Sequence, residues 1–244
     1  MKAFWTDKFG AWNPKQKAEY RAPLQNKIGA LVSNPAMRNV IGQDRGLDLS
    51  WLMNNGKVLI CNLSKGRLGE ETSNLLGALI TSGFAQAAQE RAPMPEEQRR
   101  DFTLVIDEFQ NFTTTAFAAI LSEARKYRLS LVVAHQFMSQ IPDFLQDAVI
   151  GTANTTVAFR CGATDARLLG KELDLDNHRR VKNLPNHHAL ARTVEGGMPG
   201  NTHEIATDPP RRPGKRLGAV RRHTKQFYGE SRDVVERNIE RPLG

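Results

Sequence analysis

Long hydrophobic runs are missing from this sequence of 244 residues. No stretch approaches the roughly 20 consecutive apolar residues that a membrane-crossing helix needs, and no signal-peptide pattern opens the chain. These absences argue against a membrane-spanning or secreted chain, so the sequence predicts a cytoplasmic location.

Cysteine is scarce, because only Cys61 and Cys161 occur, each within apolar and strand-like sequence. So few cysteines exclude a disulfide-stabilised scaffold and are typical of a reducing cytoplasm. We therefore predict two buried thiols, with a disulfide between them as the less favoured alternative. No His-x-x-x-His pair occurs either, so a zinc site is not indicated.

A phosphate-binding loop is also missing. The pattern Gly-x-x-x-x-Gly-Lys-Ser/Thr, whose backbone amides cradle phosphates, occurs nowhere in the sequence. The nearest strand–glycine–helix junction runs from Leu63 to Thr72, but Glu71 stands where the second glycine would be needed. Glu70 and Glu71 at a helix start would repel phosphate, so the junction is predicted to be an ordinary loop.

Acidic residues are missing between Pro209 and Gln226, where seven of the eight excess positive charges lie. Such a run attracts nucleic-acid phosphates or an acidic partner, with an affinity that falls steeply with salt. A solvated tail that binds nothing is the alternative, and the sequence does not decide between them. The DNA-binding candidates are Arg211, Arg212, Lys215, Arg216, Arg221, Arg222 and Lys225.

The overall composition, with 40% hydrophobic and 25% charged residues, is ordinary for a soluble globular domain. From Lys57 to Leu173, short apolar runs alternate with longer amphipathic ones. This rhythm predicts an α/β fold whose mostly parallel sheet has helices on both faces. The predicted strands are Val58–Leu63, Thr103–Ile106, Leu129–Ala134 and Thr155–Phe159, and the predicted helices are Gly69–Arg91, Thr113–Tyr127, Pro142–Val149 and Ala166–Leu173.

Three segments can be distinguished along the chain. Residues 1–44 are polar, with a helical pattern from Pro14 to Val32, and residues 45–206 contain the α/β core. That core ends in a predicted hairpin formed by residues 188–194 and 202–206. Residues 207–244 form the basic tail, in which Ser231–Ile239 is predicted to be a short terminal helix.

The most specific motif is Thr103-Leu104-Val105-Ile106-Asp107-Glu108, in which a predicted buried strand runs directly into two acids. Unpaired buried charge is costly, so two carboxylates at this place need a reason. In an ATPase the first acid holds Mg²⁺, usually through water, and the second orients or deprotonates the water that attacks the γ-phosphate. The pattern predicts a Walker B element with Asp107 and Glu108 in these roles, although such pairs of acids also occur by chance.

Gln136 follows the next predicted strand and should therefore lie at the same edge of the sheet as Glu108. A neutral amide can donate to a γ-phosphate oxygen and accept from the attacking water, so it can sense the loss of phosphate. The alternative is a glutamine that caps the following helix. Because Gln136 is expected in register with Glu108, the sensor role is the stronger interpretation.

The segments Ile106–Phe112 and Glu123–Gln136 resemble the central-to-C-terminal part of HerA-like and TraG/TraD-like ATPases. The similarity extends to Leu47–Leu49, Val58–Gly66, Asn154–Arg160 and Thr164–Ala166, about two-thirds of the chain at the level of pattern. The resemblance implies the C-terminal half of a RecA-like P-loop NTPase core, with ATP and Mg²⁺ as cofactors. It also implies DNA as a partner, a hexameric ring of identical subunits, and components of conjugation or type IV secretion as further partners.

An arginine a short distance before the glutamine reaches into the neighbouring subunit's ATP in this family, and Arg125 matches its position. Arg125 should lie near the amino end of the strand beginning at Leu129, about 20 Å from its own nucleotide edge, and so could serve only a neighbour. The alternative is a surface arginine paired with an acid such as Glu123. Arg160, after the fourth strand, is a second catalytic candidate, and its alternative is an ion pair with Asp165.

The missing phosphate loop departs from the family, in which that loop lies upstream of a segment like this one. The expectation is a chain that begins late, whose Walker A half precedes it or is carried by a separate chain. An upstream part could also place the protein at the inner membrane. The leading hypothesis is a module of an ATP-dependent DNA translocase or helicase. The competing hypothesis is a non-catalytic DNA-binding or adaptor protein on a degenerate ATPase scaffold.

Overall fold

The computed structural model describes residues 9–210 and 214–240, and two compact units are distinguished in it. The first unit comprises the residues through Asp48, Leu59–Leu79 and the residues from Lys215 onward. The second unit comprises Leu49–Val58 and Ile80–Gly214, and it contains all the strands of the described chain. One helix, α5 (Glu70–Gln89), contributes residues to both.

The second unit contains a parallel pair of strands, β1 (Phe102–Ile106) and β2 (Leu129–Val133). Phe102 pairs with Leu129 and Ile106 pairs with Val133, so the carboxyl ends of the strands lie side by side. A parallel pair needs a long crossover, and here it contains helix α6 (Thr115–Glu123) and 3₁₀ turns at Phe109–Phe112 and Ala124–Tyr127. The predicted α/β class with parallel strands and helices is confirmed.

The two faces of the parallel pair differ in burial. Phe102, Leu104 and Ile106 alternate with exposed residues, and Ile106 is fully packed. On the opposite face Val105 is 68% exposed and Val132 is 50% exposed. The prediction of strands buried on both faces is therefore wrong for these two strands, because successive side chains of a strand point to opposite sides and only one side is covered.

A second sheet is antiparallel and has the order β3 (Thr155–Phe159), β4 (His188–Glu195), β5 (Met198–Ala206). The predicted hairpin is confirmed as β4 and β5, which turn at Gly196 and Gly197, both with positive φ. The predicted strand at Thr155–Phe159 also forms. It pairs antiparallel with β4 rather than joining the parallel strands, because the hairpin supplies its partner.

The remaining helices of the second unit lie before and between its strands. Ala158, Ala166, Leu173, Val181, Leu184 and Leu190 form a buried cluster beneath the antiparallel sheet. This cluster gathers apolar residues from β3, β4 and two of the helices. The helices are α3 (Leu49–Asn54), α7 (Asp143–Thr152), α8 (Ala163–Glu172) and α9 (Arg179–Lys182).

Arg91 is a charged residue in the interior of the second unit, with only 1% of its surface exposed. Its Nη1 donates to the main-chain oxygens of Arg100 (3.0 Å) and Tyr127 (2.8 Å), just before β1 and β2 begin. Its Nε donates to Asn54 Oδ1 at 2.9 Å. One guanidinium thus joins the amino ends of both parallel strands to α3.

The first unit is helical. Met37 and Val235 are the most buried apolar side chains among its described residues, and Gln43 Oε1 accepts from the main-chain nitrogen of Glu230 at 3.0 Å. The predicted helix from Pro14 forms as α1 (Pro14–Ser33), and the predicted terminal helix forms as α11 (Arg232–Glu240). A further helix, α10 (Leu217–Tyr228), lies in the basic tail where no helix was predicted. The other helices of this unit are α2 (Pro35–Ile41) and α4 (Lys65–Leu68).

The predicted buried strand at Val58–Leu63 is wrong. Residues 57–64 have no regular secondary structure, and Val58 and Ile60 are 87% and 86% exposed. A strand forms only where its backbone finds a partner, and none of the described strands pairs with this segment. Cys61 is consequently exposed rather than buried, and both it and the half-buried Cys161 are free thiols.

No helix within residues 9–210 and 214–240 is both long and apolar enough to cross a bilayer.

Candidate active site

The carboxyl ends of β1 and β2 bring the loops that follow them into contact. Pairing continues past the strands, because Ala134 N donates to Ile106 O at 3.0 Å and Phe109 N donates to Ala134 O at 3.1 Å. These two bonds fix the register of the two loops. They place Glu108, which follows β1, opposite Gln136, which follows β2.

Glu108 occupies a backbone conformation that non-glycine residues rarely adopt, with φ of 51° and ψ of 45°. The left-handed geometry turns the chain abruptly from β1 into the 3₁₀ turn. Asn111 holds this turn, since its main-chain nitrogen and its Nδ2 donate to Glu108 O at 3.0 and 3.1 Å. The carboxylate is thereby presented at the sheet edge by a strained backbone of the kind that clusters at functional sites.

Two amides hold the Glu108 carboxylate, one on each oxygen. Gln136 Nε2 donates to Oε1 at 2.5 Å, and Gln110 Nε2 donates to Oε2 at 2.7 Å. Gln110 also contacts Gln140 Oε1 at 3.3 Å. The structure thus brings Glu108 and Gln136 together as the sequence predicted. Gln110 was not singled out, although its position two residues after Glu108 was the available signal.

Asp107 is exposed beside this pair, and its Oδ1 accepts from the main-chain nitrogen of Glu108 at 3.0 Å. The described residues contain no cluster of three or more groups suited to hold a metal ion. A Mg²⁺ ion here would therefore take one or two carboxylates from this chain and the rest of its oxygens from water and phosphate, an arrangement that Mg²⁺ accepts. The donor set fits the metal side of a nucleotide site.

His135 lies behind Gln136, and its ring meets the Phe109 ring edge-on, with centroids 5.7 Å apart. Burial lowers the pKa of His135, while Asp165, the Phe137 backbone and Glu108 act in the opposite direction. The imidazole is therefore neutral at neutral pH, and its Nδ1 is buried without a hydrogen-bond partner among the described residues.

Asp165 supports the loop that carries Gln136. It is buried in the first turn of α8, and its Oδ2 accepts from Met138 N at 3.2 Å. Sequence reasoning considered Asp165 only as an ion-pair partner for Arg160, and that ion pair does not form. Arg160 Nη2 instead donates to Asn186 Oδ1 at 2.9 Å, because Asp165 faces the loop after β2.

Arg125 lies in the 3₁₀ turn before β2, at the opposite end of the parallel pair from Glu108. Five paired residues separate these ends, a distance of about 16 Å along the strands. The side chain is exposed, and within the described residues it forms no ion pair, so the predicted alternative of a pair with Glu123 is not observed.

Those DNA-binding candidates that the structure describes do not belong to the unit that contains Glu108 and Gln136. Arg211 and Arg212 lie outside the described residues. The other five candidates lie in the first unit and are exposed; they are Lys215, Arg216, Arg221, Arg222 and Lys225.

The fold and the sheet-edge carboxylates define an α/β domain with two acids at the carboxyl end of a parallel strand pair. A family model described as the TraM recognition site of TraD and TraG matches residues 101–173, the stretch that contains β1, Glu108, Gln136 and Asp165. This stretch of the chain is therefore similar to that region of TraD and TraG.

Three solved structures resemble the chain. The bacterial conjugative coupling protein TrwBΔN70, in its trigonal form with sulphate, is 17% identical with a TM-score of 0.51, over 66% of this chain and 43% of that one. The genome packaging NTPase B204 of Sulfolobus turreted icosahedral virus 2 with ATPγS is 17% identical (TM-score 0.42; 65% and 72% covered). VirB4 of Thermoanaerobacter pseudethanolicus is 17% identical (TM-score 0.42; 58% and 38% covered).

The likeness to the coupling protein shows a shared fold. The chain spans less than half of that protein's length. A comparison with curated proteins gave no match.

Proposed function

We propose that this chain is a module of an ATPase that drives DNA transfer in conjugation. The observation that carries the proposal is the Glu108 carboxylate, held between Gln136 and Gln110 at the carboxyl ends of two parallel strands. Ligands of open α/β sheets bind at that edge. The coupling-protein fold and the TraG/TraD-like region support the DNA-transfer setting.

Glu108 is the group that would accept the proton of the attacking water. An ionised carboxylate can only accept hydrogen bonds, and its two amide donors fix both of its oxygens. Water enters this arrangement when Gln136 turns its amide from Glu108 toward the water and the phosphate. Gln136 then links the presence of the γ-phosphate to the loop that carries it, which is the predicted sensor role.

MgATP would supply the phosphoryl group and a cation that neutralises its developing charge. Asp107 is the residue of this chain that would hold the ion, through water. The β- and γ-phosphates need a separate cradle, since Glu70 and Glu71 begin α5 and Lys65 already bonds Glu70 at 2.7 Å. We therefore assign that cradle to another segment, carried in the same protein or in a separate chain.

ATP hydrolysis by the isolated chain is expected to stay at background. Purified protein with MgATP would be assayed for phosphate release, with Glu108→Gln as the matched control because it removes the charge and keeps the shape. Turnover that disappears in Glu108→Gln would contradict this expectation. Turnover restored by adding the phosphate-binding half, and lost again in Glu108→Gln, would support the proposed function.

Oligomerisation completes the proposed site. Arg125 lies about 16 Å from the Glu108 edge of its own sheet, so it is assigned to the nucleotide of a neighbouring subunit. There a guanidinium would stabilise charge on the transferring phosphoryl group. Arg160 is retained as a second candidate, in cis or across the ring. Its bond to Asn186 holds it beside the antiparallel sheet.

A partner from the DNA-transfer machinery is part of the proposal. The family region is described as a recognition site for TraM, and it covers the loops after β1 and β2. A protein that binds these loops would contact the same segments that carry Glu108 and Gln136, and so could couple docking to hydrolysis.

DNA binding without sequence preference is expected of the basic tail. Replacing Arg211, Arg212, Lys215 and Arg216 by Ser should weaken duplex binding and reduce the log–log salt slope by up to about 3.6, since each phosphate contact contributes about 0.9. The measurement is fluorescence anisotropy across a salt series.

The matched control removes the same charge elsewhere, by replacing the exposed cations Lys171, Arg179, Arg180 and Lys182 with Ser. If the log–log salt slope falls equally in both variants, the net charge of the protein alone would explain the DNA binding. A slope unchanged in the tail variant would mean that the tail is solvated and binds nothing.

The missing phosphate loop favours a second candidate, a non-catalytic adaptor on an ATPase scaffold. The hydrolysis assay separates the two, because an adaptor gives no turnover even with the phosphate-binding half supplied.

A further inference from the structure

Helix α10 has an apolar face that none of the described residues of the first unit covers. All twelve of its residues are exposed. Leu217, Val220 and Phe227 are 59%, 58% and 61% exposed, and Tyr228 is 39% exposed. The Phe227 ring meets only His223 of the same helix among described rings, at 4.4 Å between centroids.

These apolar residues share one side of the helix. At 3.6 residues per turn, Leu217, Val220 and Phe227 fall within about a third of the circumference, and Tyr228 lies at its edge. Arg221 and Lys225 follow along one flank of that stripe, while Ala219 and Gln226 lie opposite it. A surface helix normally buries such a stripe against its own core, and this one does not.

The charge around the stripe identifies its partner. No acidic residue occurs between Asp208 and Glu230, and the basic residues continue upstream of the helix at Lys215 and Arg216. A partner must therefore offer an apolar phase and a diffuse negative charge together. Duplex DNA offers the charge but would leave Leu217 and Phe227 in water, and an acidic protein groove would need the cations gathered at discrete points.

We infer that α10 binds the surface of an anionic lipid bilayer, lying in the plane of the headgroups with Leu217, Val220 and Phe227 among the upper acyl chains. A short helix with a cationic flank, an aromatic residue and low mean hydropathy is suited to this position. Arg221 and Lys225, on the flank of the stripe, then meet lipid headgroups. This inference does not rest on the proposed function, because it uses no residue of the nucleotide site.

The test is flotation of the full chain with vesicles of phosphatidylcholine alone and with vesicles containing an equal part of phosphatidylglycerol. The protein should bind the anionic vesicles and not the neutral ones. Replacing Leu217 and Phe227 by Ser should weaken binding by about 100-fold, roughly 10-fold for each apolar side chain withdrawn. Replacing Arg221 and Lys225 by Gln should also weaken it by roughly 25-fold, about 5-fold for each cation.

The matched control is Ala219→Ser with Gln226→Ser, two serines on the opposite side of the helix, which should leave vesicle binding unchanged. Circular dichroism and the unfolding midpoint are compared for all proteins. The protein in which Arg221 and Lys225 are replaced by Gln keeps the apolar stripe. It therefore tests the inference independently if the Leu217→Ser, Phe227→Ser protein does not fold.

Three results would overturn the inference. The first is no flotation of the wild type with anionic vesicles. The second is equal flotation of wild type and the Leu217→Ser, Phe227→Ser variant, which would assign binding to the basic stretch as a whole and leave DNA as its partner. The third is that the Leu217→Ser, Phe227→Ser substitutions change only self-association, measured by light scattering, and leave vesicle binding unchanged. The stripe would then bind a second copy of this chain.

Discussion

Arg125→Ala is expected to lower ATP turnover by about three to five orders of magnitude in a ring completed with the phosphate-binding half, with nucleotide affinity nearly unchanged. The reason is geometric. Arg125 is exposed, unpaired within the described chain and at the far end of the strands from Glu108, so its loss removes only charge stabilisation at a neighbour's phosphate. Steady-state turnover and equilibrium binding of a fluorescent nucleotide measure the two quantities. Lys126→Ala, the adjacent exposed cation, is the matched control and should stay near wild type.

Mixing two inactive proteins distinguishes action across a subunit boundary from action within one subunit. Arg125→Ala subunits are combined with Glu108→Gln subunits, neither of which turns over alone. Where a Glu108→Gln subunit donates its intact Arg125 to an Arg125→Ala neighbour, that neighbour's site has every catalytic group, and partial activity returns. Ring composition is determined by native mass spectrometry alongside the assay. No recovery in confirmed mixed rings, or full activity of Arg125→Ala alone, would contradict the assignment.

Arg91→Ala is expected to lower the free energy of unfolding by about 3 to 5 kcal/mol. The guanidinium donates to Asn54, Arg100 O and Tyr127 O, and hydrogen bonds from a charged donor contribute about 1.5 to 3 kcal/mol each. Burial lowers the pKa of Arg91, and Arg99 adds to this while Asp101 opposes it, yet the group stays charged at neutral pH. Urea unfolding followed by circular dichroism measures the change.

Arg91→Met separates hydrogen bonding from packing, because methionine fills much of the space but donates nothing. It should still cost at least about 2 kcal/mol, since the same three acceptors lose their donor. Lys126→Ala removes an exposed cation near the same sheet end and should stay within about 0.5 kcal/mol of wild type. An Arg91→Met protein within 1 kcal/mol of wild type would show that Arg91 acts only by filling space.

The local pattern was sufficient to predict the parallel strands and the meeting of Glu108 with Gln136. Both strands are apolar runs followed by polar residues, and parallel pairing puts their carboxyl ends at one edge. The helical periodicity of Gly69–Arg91 likewise identified α5, which spans Glu70–Gln89. Each of these strands and helices could be identified from its own sequence of about twenty residues or fewer.

What could not be predicted depended on partners distant in sequence. Val58–Leu63 has the composition of a strand, but strand formation also needs a neighbouring backbone, and none of the described strands supplies one. Thr155–Phe159 does form a strand, yet its direction of pairing was set by β4, about thirty residues later. Helix α10 was missed because seven cations in its neighbourhood made the segment resemble a tail, although Leu217, Val220 and Phe227 recur at helical spacing.

The backbone conformation at Glu108 lowers the stability of the fold at the residue proposed to act in catalysis. With φ at 51°, glycine or asparagine would occupy this position with less strain than glutamate, and strain of this kind costs on the order of 1 kcal/mol or more. The residue that would accept the proton in the proposed reaction therefore has a strained backbone conformation. Engineering of this protein for thermostability would therefore favour replacing Glu108, and a stabilised variant could be well folded and yet lack the proposed catalytic acid.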